Sequence, residues 1–412
     1  MKLTADELDM VEGRKGPALA KAMEIQAKLG EIFGAESMVP VGGVHMPGSS
    51  IIVSGRAGLG FVEYMGTSGG RFSVPTTLNP AACDLREHQE AGFDIRLTAL
   101  QRELTQAYEV MGGVACHTCT PYSIGRAPRF GEHIAWGESS AIAFANSVLG
   151  ARTNREGGPS ALAAALTGRV PAYGYHLDEN RRPTMVVDVS VPLRSTDEFG
   201  TLGYFVGADS GDAVPLFVGI ERASLDQLKM LGAALAASGS VALFHVAGVT
   251  AEAANAAPYT VGQRRLPRVE VDEGALASTA AKLDGARDDQ VGIVVLGCPH
   301  LSLEELKAVA EEISGSHVDE SVVLWLLTAL PNVSVAERAG WAKIIEDAGG
   351  RLVVDTCPVL GAIEPLVKSL HAPIIATNSA KLAHYAPGKL GLQVHYGSAE
   401  RCLDAALSGR WR

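Results

Sequence analysis

Two of the six cysteines stand where predicted strands end. Cys298 and Cys357 each directly follow a short apolar run, and a third such run leads into the polar pair Thr377 and Asn378. The carboxyl ends of parallel strands meet at one edge of a sheet, where ligands bind. We therefore expect both thiols on the same rim, where helix amino termini favour thiolates and anionic ligands.

A second pair, Cys116 and Cys119, has C-x-x-C spacing. This spacing is compatible with half of a zinc site, a redox pair or one corner of an iron–sulfur cluster, and the chain lacks the second pair that a zinc site would need. One thiolate from this segment together with Cys298 and Cys357 would hold a cluster and leave one iron open. The alternative is that the cysteines are small buried hydrophobic residues.

A segment of small residues at 136–158 begins as a predicted helix and ends as a polar loop. Polar side chains interrupt its apolar surface, and two arginines in the loop offer forked donors to a carboxylate or phosphate. The candidate substrate-binding residues here are Glu138, Ser139, Ser140, Asn146, Arg152, Thr153, Asn154 and Arg155. The alternative is a solvated loop with capped turns.

The segment 74–80 is also rich in hydroxyl and amide groups, with Thr76, Thr77 and Asn79 between two prolines. Its prolines and polar residues argue against a core strand. We interpret it as a ligand-holding loop, and the alternative is a surface turn stabilised by its own hydrogen bonds.

An alternation of apolar strands and capped helices would position these residues. A helical pattern covers 5–32, and a regular strand–helix rhythm begins near residue 215. The predicted strands are 216–220, 241–246, 291–296, 321–327, 352–355 and 373–376, and the predicted helices start at Ser224 or span 302–313 and 334–348. Ser302 and Glu305 form a capping box. The pattern predicts an α/β protein with parallel sheets.

Composition narrows the functional class. The 412 residues are 47% hydrophobic and 20% charged, which predicts a large globular core and excludes disorder. The net charge of −11 argues against binding along nucleic acid. The amino terminus lacks a secretory pattern and no apolar run predicts a membrane span, so we expect an unprocessed cytoplasmic protein with free thiols.

Eight motifs together resemble the large subunit of aconitase X, a branch of the aconitase superfamily, and the resemblance covers nearly the whole chain. They are VPTTLNP at 74–80, CTPY at 119–122, WGESSAIAFANSVLGARTNREGGPS at 136–160, TGRVPAYGYH at 167–176, FHVAGVTAEA at 244–253, GCPH at 297–300, DTC at 355–357 and TNSAK at 377–381.

The resemblance implies aconitase-like clustered three-layer α/β domains, with parallel sheets around a central cluster site. We divide the chain into an amino-terminal α/β region at 1–200, an α/β subdomain at 201–285 and a doubly wound α/β domain at 286–412. The swivel domain of the superfamily is absent from this chain. A separate small subunit is therefore implied, which would supply a catalytic serine as the base.

The resemblance also implies a hydro-lyase with an iron–sulfur cluster on Cys119, Cys298 and Cys357. The cluster type, [2Fe–2S], [3Fe–4S] or [4Fe–4S], is not set by the sequence. In such an enzyme an open iron binds the leaving hydroxyl. His300 and Lys381 are the candidates for proton transfer, and Thr377 and Asn378 join the substrate-binding set.

Two substrates fit this resemblance. Bacterial relatives resemble cis-3-hydroxy-L-proline dehydratases, which form Δ1-pyrroline-2-carboxylate, and archaeal relatives resemble mevalonate 5-phosphate dehydratases. The alanine-rich composition and the absence of an extra basic cluster favour hydroxyproline. Phosphomevalonate is the alternative and citrate a third. A hypothesis of another class is a non-catalytic metal-binding scaffold subunit.

Overall fold

The amino-terminal part of the chain is built on a three-stranded parallel sheet. The computed structural model describes residues 1–86, 93–125, 127–253 and 266–412. The helices of this part are α1 (Ala5–Val11), α2 (Pro17–Ile32), α3 (Ile51–Thr67), α4 (Ile95–Val110), α5 (Ser139–Ser147) and α6 (Gly158–Thr167). Its strands are β1 (Met38–Pro40), β2 (Val44–Met46), β3 (Thr76–Leu78), β4 (Ala135–Trp136) and β5 (Arg169–Pro171). Strand β2 lies between β3 and β4, and β1 pairs separately with β5.

Two expectations for this part were wrong. The helical pattern at 5–32 forms two helices, because Gly16 has a φ of +98° and Pro17 opens a new first turn. The segment 74–80 contains strand β3 rather than only a loop. Pro75 contributes only its carbonyl, which accepts from Val44 N–H at 3.0 Å, so the missing proline N–H costs the ladder nothing.

A second, four-stranded parallel sheet follows. Its strands are β6 (Met185–Val189), β7 (Pro215–Val218), β8 (His245–Val246) and β9 (Arg268–Val271), in the order β8-β7-β6-β9. Helices α7 (Thr196–Ser210), α8 (Leu225–Gly239) and α9 (Glu273–Leu283) accompany it. Ser224 caps α8 as predicted, whereas the strand predicted at 241–246 is only its last two residues. The division at residues 200 and 285 stays a prediction; the sheet itself spans 185–271.

The carboxyl-terminal part contains a five-stranded parallel sheet in the order β12-β11-β10-β13-β14. The strands are β10 (Ile293–Leu301), β11 (Val323–Thr328), β12 (Arg351–Val353), β13 (Ile374–Thr377) and β14 (Gln393–Tyr396). The helices are α10 (Leu303–Ile313), α11 (Leu330–Ala339), α12 (Trp341–Asp347), α13 (Glu364–Ser369), α14 (Ala380–Leu390) and α15 (Ala399–Ser408). The helix predicted at 334–348 is two helices, because Gly340 has a φ of +81°.

The α/β class with parallel sheets is confirmed. The core of the third sheet is almost wholly aliphatic, and β10 is buried along its whole length. A central strand with both faces covered is typical of a doubly wound sheet, whose carboxyl edge is then available for a ligand. In the part of the chain that the structure describes, no helix is long and apolar enough to cross a bilayer.

Candidate active site

Cys298 and Cys357 lie at the carboxyl edge of the third sheet, as predicted. Cys298 lies where β10 changes register between Leu296 and Leu301. The backbone there requires Gly297, with a φ of +107°, because an added Cβ would stand 2.2 Å from the Leu327 carbonyl oxygen. Cys357 follows β12, and its thiol interacts with that of Cys298.

The thiols of Cys298 and Cys357 interact with each other. This interaction lowers the pKa of Cys357 to about 7 and raises the pKa of Cys298 well above its usual value. Cys119, from the amino-terminal part, joins them: its sulfur accepts from His300 N–H at 3.2 Å, and its charge acts on Cys298. Burial raises the pKa of Cys119 to about 12. Three thiols from three distant segments therefore meet.

A buried ion pair lies beside the three thiols. Lys381 Nζ is 2.7 Å from Glu138 Oε1, and the two side chains are 10% and 9% exposed. Burial alone would lower the pKa of Lys381, but the charges of Glu138 and of all three cysteines outweigh burial and raise it. Lys381 therefore remains an ammonium ion, and the charges of Cys119, Cys298 and Cys357 all act on it.

Glu138 is held by the start of helix α5, where it is the N-cap residue. Its carboxylate accepts from Ala141 N–H and from the Ser140 hydroxyl, each at 2.6 Å. Burial raises the pKa of Glu138, but the Lys381 charge and these bonds bring it below the usual value. Ser139 donates more weakly to the same carboxylate, at 3.4 Å. The small-residue helix found in the sequence therefore serves to place this carboxylate.

His300 is bonded at both ring nitrogens. Its Nε2 lies 2.8 Å from the Thr356 carbonyl oxygen, so Nε2 carries the proton, and Nδ1 lies 3.0 Å from the Thr118 hydroxyl. Burial lowers the pKa of His300 to about 4. The ring is therefore neutral at pH 7, and it connects the residue before Cys119 to the residue before Cys357.

A second buried histidine adjoins the site and was missed by the sequence analysis. His45 Nδ1 lies 2.8 Å from the Thr77 hydroxyl, and its Nε2 lies 3.4 Å from Asn79 Oδ1. Burial lowers the pKa of His45 to about 4, against the opposing charge of Glu138. The signal was a histidine inside an apolar run; a satisfied core histidine gives the same pattern. Thr76 lies apart, bonded to the Val74 carbonyl.

The loop after α5 is not brought to the thiols by any hydrogen bond among the described residues. Asn146 donates to two carbonyls and accepts from two donors, so its amide is fully used within the protein. Thr153 donates to its neighbour's carbonyl at 2.7 Å. Asn154 donates to the Tyr173 carbonyl at 3.0 Å and accepts from Tyr175 N–H at 2.8 Å. These three side chains shape the loop, and their part in substrate binding stays a prediction.

The two arginines of this loop differ. Arg152 forms an ion pair with Asp178 and donates to the His176 carbonyl at 3.1 Å. Arg155 is exposed and donates to the Ser240 carbonyl at 3.2 Å. Arg155 is thus the less committed donor of the two.

The polar run after β13 acts mainly on the backbone. Thr377 accepts from Ser379 N–H at 3.2 Å, and Ser379 donates to the Cys298 carbonyl. Asn378 lines a cavity of about 350 Å³ together with Asp226 and Glu305. Glu305 also pairs with Lys229, whose ammonium donates to the His300 carbonyl at 3.3 Å.

The donor set suits a cluster better than a single ion. Among the described residues, no three cysteine, histidine or carboxylate groups gather around one point as ligands of one metal ion would. A cluster spreads its thiolates over different irons, so its ligands need only surround a common space. The charges of Cys119, Cys298 and Cys357 all act on Lys381, and the ammonium offsets their negative charge. Cys116 points elsewhere, with its sulfur 3.5 Å from the Leu78 carbonyl oxygen.

Comparison with known proteins agrees with this architecture. Models of the first, second and third domains of aconitase X match residues 1–179, 183–281 and 291–408. A "Phosphomevalonate dehydratase large subunit" from Methanothermobacter thermautotrophicus is 43% identical over 96% of each chain. A "Cis-3-hydroxy-L-proline dehydratase" from Pseudomonas aeruginosa is 37% identical over 99% of this chain and 70% of its own length.

A solved structure extends the likeness to three dimensions. The holo-form of aconitase X from Thermococcus kodakaraensis superposes with a TM-score of 0.89 at 38% identity, covering 98% of this chain and 100% of that one. The resemblance seen in the motifs is confirmed along the whole length. The chain therefore belongs to the aconitase X family of hydro-lyases.

Proposed function

We propose that the chain is the large subunit of an iron–sulfur dehydratase that removes water from a β-hydroxy carboxylate. The observation that carries this proposal is the meeting of three thiols from distant segments around the Lys381–Glu138 pair. Cys119, Cys298 and Cys357 would hold the cluster. When bound, it would supply a Lewis-acidic open iron for the departing hydroxyl.

Lys381 supplies fixed positive charge. Its pKa is raised and Glu138 is its partner, so at neutral pH it has no lone pair with which to accept a proton. It compensates the thiolates and attracts the anionic end of a substrate. This replaces the proton-transfer role that the sequence suggested.

His300 acts as a positioning residue for the cysteines. Its Nε2–H is given to a backbone carbonyl, its other nitrogen accepts from Thr118, and its backbone N–H donates to Cys119. With a pKa of about 4, the ring is a poor base at neutral pH. Neither His300 nor Lys381 can therefore accept the α-proton at neutral pH.

A small partner subunit fills that gap in the proposal. Relatives of this chain are named large subunits, and this chain covers only 70% of the length of the Pseudomonas aeruginosa relative. The partner would bring the serine that the family resemblance implies, as the base that removes the α-proton. The proton from the α-carbon and the hydroxide from the β-carbon together make up the water that is released, and the electron pair of the C–H bond forms the new double bond.

Two substrates share this reacting unit. Phosphomevalonate and cis-3-hydroxy-L-proline both carry a hydroxyl on the carbon β to a carboxylate. The relative at 43% identity has the first name and the relative at 37% has the second, so we place phosphomevalonate first. This reverses the order that composition favoured. Exposed Arg155 is the proposed contact for the substrate anion.

The test is anaerobic co-purification with the small subunit, analysis of iron and acid-labile sulfide, and parallel dehydration assays on both substrates. We expect a brown protein that dehydrates phosphomevalonate. Turnover of hydroxyproline alone would keep the mechanism and change the substrate. A colourless zinc protein without turnover would leave the scaffold hypothesis.

A matched pair of variants tests the ligands. Cys298→Ala removes a proposed ligand, whereas Cys116→Ala removes a buried thiol from the neighbouring motif without touching the three-thiol set. We expect Cys298→Ala to lose cluster absorbance and activity together, and Cys116→Ala to keep both. Equal loss in the two variants would contradict the ligand assignment.

A further inference from the structure

The hydroxyl of Tyr122 is buried and has no hydrogen-bond partner among the described residues. A buried phenol usually finds a partner, because a buried donor without an acceptor loses the hydrogen bond that it would make with water. The residue is the last of the CTPY motif, three positions after Cys119. The Tyr122 hydroxyl is therefore a buried donor without an acceptor, close in the chain to the proposed cluster ligand Cys119.

The ring of Tyr122 is fixed in place. It stacks on Phe144 of α5, with ring centroids 3.9 Å apart and planes 11° apart. It also packs against the apolar cluster that contains Ile134 and Ile142. Pro121 sets the preceding turn as the first residue of a 3₁₀ helix. The hydroxyl therefore cannot swing away to bond elsewhere without losing this packing.

The groups near the hydroxyl already have other partners. Burial raises the pKa of Tyr122 well above its usual value, and the charges of Cys119, Glu138, Asp226 and Glu305 raise it further. The phenol is therefore protonated and can donate. Cys119 accepts from His300 N–H, and Glu138 is bound by Lys381, Ser140 and Ala141. The phenol is near both acceptors but bonded to neither.

We propose that the Tyr122 hydroxyl donates its hydrogen bond to a sulfur of the cluster held at Cys119. This rests on the proposed function, because it needs the cluster to be present. The hydroxyl forms no hydrogen bond with the Cys119 sulfur among the described residues, although the charges of Cys119 and Glu138 both act on it. Its acceptor would then belong to the bound group rather than to the protein.

Hydrogen bonds to cluster sulfurs are among the factors that set the reduction potential. A donor stabilises the more negative, reduced form, so removing it should lower the potential. The ring packing would survive in Tyr122→Phe, since only the hydroxyl is lost. Tyr175→Phe is the matched control, because Tyr175 packs against the same apolar cluster and its pKa responds to Asp212 and Arg155 rather than to a cysteine.

The experiment uses the two-subunit complex purified without oxygen. We expect Tyr122→Phe to keep its iron, to show a lower reduction potential with an altered electron paramagnetic resonance signal, and to lose about tenfold in kcat with KM within about twofold. Tyr175→Phe should match the parent in iron content, reduction potential and electron paramagnetic resonance signal. Fluorotyrosine at position 122, a stronger donor, should move the potential upwards.

Three results would overturn the assignment. One is an unchanged potential and spectrum in Tyr122→Phe. Another is a rise in KM alone, which would indicate that the hydroxyl binds the substrate and not the cluster. The third is loss of iron in Tyr122→Phe combined with an unchanged potential in the fluorotyrosine protein. Absence of iron from the parent complex would instead refute the proposed function, so the two failures are distinguishable.

Discussion

The buried pair Lys381–Glu138 gives the sharpest test of the site's energetics. The perturbation is a cycle of Lys381→Met, Glu138→Gln and the double variant. Each single change leaves one charge buried without its partner, whereas the double change leaves two neutral side chains of similar size. The reasoning predicts that the second substitution partly rescues the first.

The magnitude follows from burial. The two side chains are about nine-tenths buried and 2.7 Å apart. Removing one member of such a pair costs about 3–5 kcal/mol, while replacing both with neutral groups is often close to neutral. For a cooperative unit of about 150–250 residues, about 3 kcal/mol corresponds to a fall of roughly 6–12 °C in unfolding midpoint. The exposed pair Lys343–Asp347, 77% and 63% exposed, should give less than about 1 kcal/mol when broken.

The assay is thermal unfolding of the chain by circular dichroism, with Lys343→Met as the surface control. We expect both single variants to unfold well below the parent and the double variant to recover at least half of the loss. If the singles unfold within about 2 °C of the parent, or if the double variant falls by the sum of the singles, the pair is not the buried, coupled unit described here.

Three further predictions follow from other parts of the structure. Burial lowers the pKa values of His45, His117, His176 and His300 from 6.5 to between about 3 and 4, so the unfolded chain binds more protons and stability should fall as pH drops from 6.5 towards 4. Thermal midpoints from pH 7.5 to 4.5 measure this fall, and His300→Gln should flatten it while exposed His317→Gln should not. Gly297→Ala should destabilise the chain by about 2 kcal/mol or more and reduce bound iron, whereas Gly315→Ala, with open space around it, should cost less and keep its iron; equal iron contents would refute the clash argument. Arg155→Met should raise KM by about tenfold with little change in kcat, and Arg152→Met should not; steady-state kinetics of both variants decide this, and equal effects would count against the assignment.

Much of the fold could be predicted from local sequence. Capping residues such as Ser224 and Ser302, followed by apolar periodicity, define helix starts through contacts within one turn. Apolar runs ending in Cys298 and Cys357 placed two thiols on one edge, because parallel strands in one sheet share their carboxyl side. The loop predicted at 74–80 was an error of this local approach. Strand β3 forms because it pairs with β2, and strand propensity does not include such pairing.

The motifs by themselves identified the family, and they named the cysteines. Only the tertiary structure decided how those residues act. Lys381 and Glu138 are 243 positions apart, and nothing in either local sequence fixes the partner of the other. The proton held on His300 Nε2, the closed bonding of Asn146 and the unpaired phenol of Tyr122 likewise depend on segments distant in the chain. Residue type and spacing therefore determined which chemistry is available, while burial and long-range pairing determined which side chains are charged, bonded or free to perform it.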